Sequence, residues 1–233
     1  MENNTKYRCS GKTYNGEKAI ISLTSWKARI NTVSKTLFSI LKQCPGFHVV
    51  LVLSEEEFPQ HEKELPESLM VFIQHKLIEL LWVHKNYKAF KKVVFTMDKY
   101  RTVPVISADD DCIYTCNYAQ ILYDEWEKHP DCIITNDGMP IETHGIKWGR
   151  GPNTLYPIKF SYLCIKLNVI KSLETMDVYE EDDSFYGTIC KKFKIQYIDL
   201  NRSEFYIFHD TISPLHETIK SMRRNLLYYD DLI

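Results

Sequence analysis

Three consecutive carboxylates, Asp109-Asp110-Asp111, are the residues in this sequence whose spacing most needs a chemical explanation. Neighbouring like charges repel, and a divalent cation that joins them removes the repulsion; an all-oxygen donor set suits Mg²⁺ or Mn²⁺. Side chains alternate along an extended backbone, so Asp109 and Asp111 are expected to face one site while Asp110 turns away. The competing account is a solvated acidic turn whose aspartates make local Asx hydrogen bonds. A second acidic group, Glu180-Glu181-Asp182-Asp183, precedes Ser184 and the periodic apolar residues Phe185, Ile189 and Phe193. Asp182 or Asp183 could serve as a general base towards a hydroxyl. Equally, acids at a helix N-terminus are favoured by capping and by the helix dipole, and both readings stay open. Arg29, Lys88, Lys91 and Lys92 could supply positive charge to a phosphate or could be solvated surface charges. His209 is a candidate metal ligand through its imidazole, or a packing residue.

The elements that must position these groups follow from the order of apolar runs. Residues 19–23, 48–53, 77–83 and 103–108 are short, apolar and rich in β-branched side chains, which predicts strands buried on both faces. Between them, Val33, Leu37, Ile40 and Leu41 recur at helical spacing after Asn31, and Phe90, Val93, Val94 and Met97 do the same. This is βαβ alternation and predicts an α/β fold with a mostly parallel central sheet flanked by helices. The acidic triplet then falls at the carboxyl end of the strand over 103–108, where open α/β sheets bind ligands. Further strands are expected at 132–135, 163–167 and 195–200, and helices near 117–128, 184–193 and 214–227, the last opened by Ser213-Pro214. Gly138, Gly145, Gly149 and Gly151 put half of the eight glycines into one long stretch that also holds Trp148, Arg150 and Tyr156. That stretch is expected to be a binding loop or lid, against the alternative of a surface excursion.

Length and composition narrow the classes. With 233 residues, 44% hydrophobic and 26% charged, the chain suits a single globular domain, 1–233. A formal net charge of -2 supplies no global field for nucleic acid, so no nucleic-acid partner is expected. None of the glycines forms GxGxxG or GxxxxGK[ST], which removes the usual phosphate-cradling loops. The seven cysteines are odd in number, scattered and without a CxxC pair, so neither a zinc site nor a disulfide framework is expected. With no signal-like or membrane-spanning run, a cytoplasmic protein is expected. The clusters Lys191-Lys192-Phe193-Lys194 and Arg223-Arg224 could rest on anionic lipid at the inner face of the membrane.

Three segments carry a family resemblance: residues 20–30 (IISLTSWKARI), 86–92 (NYKAFKK) and 107–114 (SADDDCIY). Together they resemble bacterial glycosyltransferases of the GT-A fold, family 2-like and of the surface-polysaccharide type, over roughly Lys18 to Asp210. The resemblance implies transfer of a sugar from a nucleotide-sugar donor, a UDP-sugar, to a hydroxyl on a saccharide or lipid-linked acceptor, with inversion. It implies that Asp109, Asp110 and Asp111 form a DxD motif holding the donor diphosphate through Mn²⁺ or Mg²⁺. By the same resemblance Thr24, Ser25 and Arg29 become nucleotide contacts and Lys92 or Lys91 a diphosphate contact. Asp182-Asp183 falls where such enzymes carry the acid that activates the acceptor, and His209 would join Asp109 and Asp111 on the metal. Trp148, Arg150 and Tyr156 would line the acceptor, and the resemblance implies a nucleotide-sugar-binding half over 1–135 and an acceptor-binding half over 136–233. Two departures stand out: Trp26-Lys27 replaces the usual Tyr-Pro after Thr-Ser, and Asp-Asp-Ser-Phe185 replaces Asp-Asp-x-Trp. Two other classes fit the α/β pattern, a sugar-nucleotide nucleotidyltransferase and a non-catalytic saccharide-binding protein. The first should carry a glycine-rich loop after the first strand, which 22–30 lacks.

Overall fold

The computed structural model describes residues 7–115, 117–136, 138–141, 146–149, 153–176, 182–202 and 205–208. In chain order the elements are β1 (Arg8–Gly11), β2 (Ile20–Thr24), α1 (Val33–Gln43), β3 (His48–Ser54), α2 (Glu67–Gln74), β4 (Glu79–Val83), α3 (Lys91–Lys99), β5 (Val105–Ala108), β6 (Cys112–Tyr114) and α4 (Tyr118–Lys128). They continue as β7 (Ile133–Thr135), β8 (Gly138–Ile141), β9 (Ile146–Gly149), β10 (Thr154–Tyr156), α5 (Ile158–Lys166), α6 (Val169–Thr175), α7 (Asp182–Phe193), β11 (Tyr197–Asp199) and β12 (Tyr206–Phe208).

One eight-stranded sheet has the order β1-β4-β3-β2-β5-β10-β7-β11. The pairs β4–β3, β3–β2, β2–β5 and β7–β11 are parallel, whereas β1 and β10 run against their neighbours. Alternation along the strands divides the core. Ile21, Leu23, Leu51 and Leu155 face the cluster that contains Val33, Leu37 and Ile40 of α1, Leu69 of α2 and Leu122 of α4. Ile20, Val50, Leu81 and Tyr156 face the opposite cluster, with Val93 of α3, Phe160 of α5, Leu173 of α6 and Ile189 of α7. Covering both faces is why β3 reads as an unbroken apolar run. Two small antiparallel pairs, β6 with β12 and β8 with β9, lie outside the main sheet.

Two expectations change. Residues 163–167, expected as a strand, form the end of α5 and its C-cap, Leu167: Phe160, Ser161 and Cys164 are the buried residues of the helix, a helical spacing, and Pro157 sits at its N-cap. The glycine-bearing stretch over 138–156 is not one loop, because it contains the β8–β9 hairpin and then β10, a central strand. The helix expected near 214–227 lies outside the described residues.

One strand carries a charge into the core. Glu79 opens β4, where its carboxylate meets His48 Nε2 at 2.8 Å and is close to Lys99 Nζ and the Tyr100 hydroxyl. Burial alone would raise the pKa of Glu79, but these partners outweigh it and hold the carboxyl below its ordinary value. Among the described residues no helix is long and apolar enough to cross a membrane.

Candidate functional site

The site forms where the strand order reverses. β3 and β4 lie to one side of β2 and β5 to the other, with α1 and α2 on one face of the sheet and α3 on the opposite face. The crevice between the carboxyl ends of β2 and β5 is therefore the topological switch point. Thr24 ends β2 with Ser25 directly after it, and Asp109-Asp110-Asp111 follow β5.

A polar seam on α1 fixes the acidic turn. Thr36 Oγ1 donates to the Asp110 carbonyl at 2.9 Å, and Ser39 Oγ accepts from the Tyr114 amide at 3.0 Å. The Asp109 amide donates to the Tyr114 hydroxyl at 3.1 Å. These contacts satisfy buried backbone groups that the tight β5–β6 connection leaves without a ladder partner. Sequence reasoning missed this role; its signal is two small polar residues at i and i+3 on the buried face of an otherwise apolar helix.

The three carboxylates have different surroundings. Asp110 is buried, accepting from Ser25 Oγ at 2.6 Å and from Arg29 Nη1 at 2.8 Å. Arg29 reaches it because the chain turns at 26–29, with the Arg29 amide bonded to the Trp26 carbonyl at 2.9 Å. The same Nη1 lies 2.9 Å from Asp111 Oδ2. Asp109 is the most open of the three, its side chain 28% exposed, and its Oδ1 accepts from Lys92 Nζ at 2.9 Å. Lys92 Nζ also lies 3.5 Å from Asp182 Oδ2, so one buried ammonium joins the triplet to the first turn of α7.

The titration of these groups follows from burial and charge. Burial, with the neighbouring Asp109 charge, pushes the Asp111 carboxyl up to about 6. Burial also raises Asp110 and Asp182. For Lys92 burial acts downwards, but the charges of Asp109, Asp182 and Asp183 outweigh it and hold the ammonium well above its ordinary value.

This network sets four carboxylates, Asp109, Asp110, Asp111 and Asp182, against two cations, Arg29 and Lys92. The excess of negative charge and the hard oxygen donors are a set that could hold a divalent cation; of the pair expected to share one site, however, Asp111 shares Arg29 Nη1 with Asp110, whereas Asp109 meets Lys92. Among the described residues no three His, Cys, Asp or Glu side chains form a ready-made metal cage.

The other residues singled out in the sequence are placed as follows. Ser25 and Arg29, expected to touch nucleotide, have Asp110 as partner, and Arg29 also has Asp111. Thr24 Oγ1 donates to the Val52 carbonyl at 2.7 Å, across to β3. Lys91, an alternative diphosphate contact, is buried with its Nζ on Glu57 Oε2 at 2.8 Å and Asn86 Oδ1 at 2.9 Å. Tyr156, expected in an acceptor-facing lid, is a core residue of β10 whose ring meets Phe160 at 5.4 Å and Tyr186 at 5.5 Å. A strand position facing α5 and α7 leaves it no open face for a sugar. Asp183 follows Asp182 in α7 and is half-buried. Trp148 lies in β9, where only the backbone is described, and Arg150 and His209 fall outside the described residues.

The chain matches no protein-family model, and no curated protein matches it in sequence. Among solved structures it is similar to the glycosyltransferase GlyE of Streptococcus pneumoniae TIGR4, at 18% identity and a TM-score of 0.48 over 79% of this chain. The match spans 46% of the length of GlyE. It is also similar to the mannosyltransferase PcManGT from Pyrobaculum calidifontis in complex with GDP-Man and Mn²⁺. That match has 13% identity and a TM-score of 0.53, covering 97% of this chain and 72% of PcManGT. At that identity the likeness is one of architecture: the chain has the α/β fold of PcManGT, a mostly parallel central sheet flanked by helices.

Proposed function

We propose that the chain is a metal-dependent glycosyltransferase that moves a sugar from a nucleotide-sugar donor, a UDP-sugar, to a hydroxyl of a saccharide or lipid-linked acceptor, with inversion. The observation that carries this reading is the carboxylate triplet at the switch point of the sheet, short of positive charge and tied through Lys92 to Asp182. The fold shared with PcManGT supports it.

In this reading Asp109 and Asp111 hold Mn²⁺ or Mg²⁺, with His209 as a further ligand. When bound, the metal stabilises the negative charge that develops on the departing nucleoside diphosphate. Asp110 stays out of the coordination shell and anchors the turn through Ser25 and Arg29. The half-buried end of β2 at Thr24 receives the nucleotide, with Ser25 buried on Asp110 beneath it. Asp183, more accessible than its neighbour, removes the acceptor proton, while Asp182 is held by Lys92 at the edge of the site. Trp148 and Arg150 are assigned to the acceptor side.

Replacing Asp111 by Ala should lower Mn²⁺-dependent UDP-sugar turnover by about a hundredfold or more, beyond the 10–100-fold typical of outer-shell changes. Undiminished turnover would remove the support. Asp183→Asn should abolish transfer yet leave metal-dependent UDP binding intact, as read by calorimetry.

A further inference from the structure

The outer flank formed by α1 and α2 carries a feature the transfer reaction does not use. Phe38 points out of α1 with 63% of its surface exposed, and on the same flank Val71 of α2 and Leu77 beyond it are 45% and 42% exposed. Lys35 and Lys42 stand three residues before and four after Phe38, so all three share one face of α1. A groove of about 490 Å³ runs between them and β6, lined by Ser34, Lys35, Phe38, Lys42, Ile113 and Tyr114. The α1 sequence VSKTLFSILKQ contains no acid, and α2 contributes only Glu67, against exposed His75 and Lys76 beyond its end. Lys35 and Lys42 make no ion pair with the described residues. In a chain of net charge -2 this is a local cationic, apolar surface.

We propose that this flank docks on an anionic lipid surface, with Phe38 entering the interface and Lys35 and Lys42 facing lipid phosphates. A basic helix face with an apolar centre combines the two contributions such binding needs, buried apolar area and attraction to anionic headgroups. Trp26, 39% exposed at the rim of the site before α1, lies at the same end as the acidic triplet. The docking itself does not rest on the transferase reading. The rival cluster at the end of α7, Lys191, Lys192 and exposed Phe193, belongs to a helix on the opposite face of the sheet, so one flat surface cannot engage both.

The test is sedimentation of the full chain with vesicles of phosphatidylcholine alone and with added phosphatidylglycerol. Binding is expected only with the anionic lipid. Lys35→Ala with Lys42→Ala should weaken it about thirtyfold. Phe38→Ser should weaken the part that persists at high salt. Lys191→Ala with Lys192→Ala should leave it unchanged, and transfer to a soluble acceptor should survive in every variant. The proposal is overturned if anionic vesicles do not bind at low salt, if neutral vesicles bind equally, or if the α7 variant loses binding while the α1 variant keeps it. It is also overturned if binding appears only after residues 209–233 are removed, which would assign the groove to the chain itself. Docking that fails while Mn²⁺-dependent turnover stands would leave the transferase reading intact.

Discussion

A lysine shared by two carboxylates does different work from one that meets a phosphate. Lys92 spans Asp109 and Asp182, so its removal should loosen the relation between the two acids and leave the donor's own contacts in place. Lys92→Met is expected to lower kcat at least about tenfold with little change in donor KM, and Lys92→Arg to recover part of the loss; steady-state kinetics separates the two parameters. A rise in KM at constant kcat would instead make Lys92 a diphosphate contact. Asp110 makes the contrasting case. Asp110→Ala removes one of the two carboxylates on the buried Arg29 guanidinium and the acceptor of Ser25 Oγ, and should cost about 2 kcal/mol in urea unfolding, more than Asp109→Ala at the exposed end of the triplet. The special character of the triplet was legible in the sequence, because three acids directly after a β-branched run can be placed at a strand end. The division of labour among them was not: Ser25 and Arg29 lie 85 and 81 positions from Asp110, and only the fold reveals that they serve it. Glu79 was equally hidden, since one acid in an apolar run looks like a strand edge until His48, Lys99 and Tyr100 surround it. Its carboxyl is held below the unfolded value of about 4.3, so its stabilisation is complete above that pH and fades as pH falls through the lower folded value. Glu79→Gln should therefore lose about 3 kcal/mol at neutral pH and show a flatter acid limb in a stability-against-pH series.

At the scale of elements, the sequence was readable where periodicity was long and failed where elements were short. The runs that became β2, β3, β4 and β5 are buried on both faces, and β2, β3 and β5 are rich in β-branched residues. The three residues of β10 follow a glycine-bearing stretch and have too little length to show alternation. Residues 163–167, Leu-Cys-Ile-Lys-Leu, look like a strand because four of the five are apolar; Pro157, read as a helix opener, would have signalled the change. The position of β10 also separates a packing residue from a ligand contact. Tyr156→Ala should lower the thermal midpoint through a loss of about 3–5 kcal/mol of core packing, on the scale of other large aromatic truncations, without a selective effect on acceptor KM. A normal melting curve with a raised acceptor KM would place Tyr156 at the sugar after all.

For the whole molecule, a ligand that binds only the folded form should raise the melting temperature, by an amount equivalent to about 2.7 kcal/mol at a hundred times its Kd. UDP with Mn²⁺ is expected to produce this shift and either alone a smaller one; a shift confined to GDP would change the donor base and leave the metal-centred reading in place. The strand order has a consequence for synthesis. Because β10 inserts between β5 and β7 and β11 covers the far side of β7, a nascent chain that has emerged only as far as residue 135 presents an open edge on β5 and two on β7 that nothing yet made can fill. A fragment stopped there should self-associate, whereas one extended past α5 can close the gap; ribosome stalling or premature termination in that interval is where this protein is most exposed to aggregation.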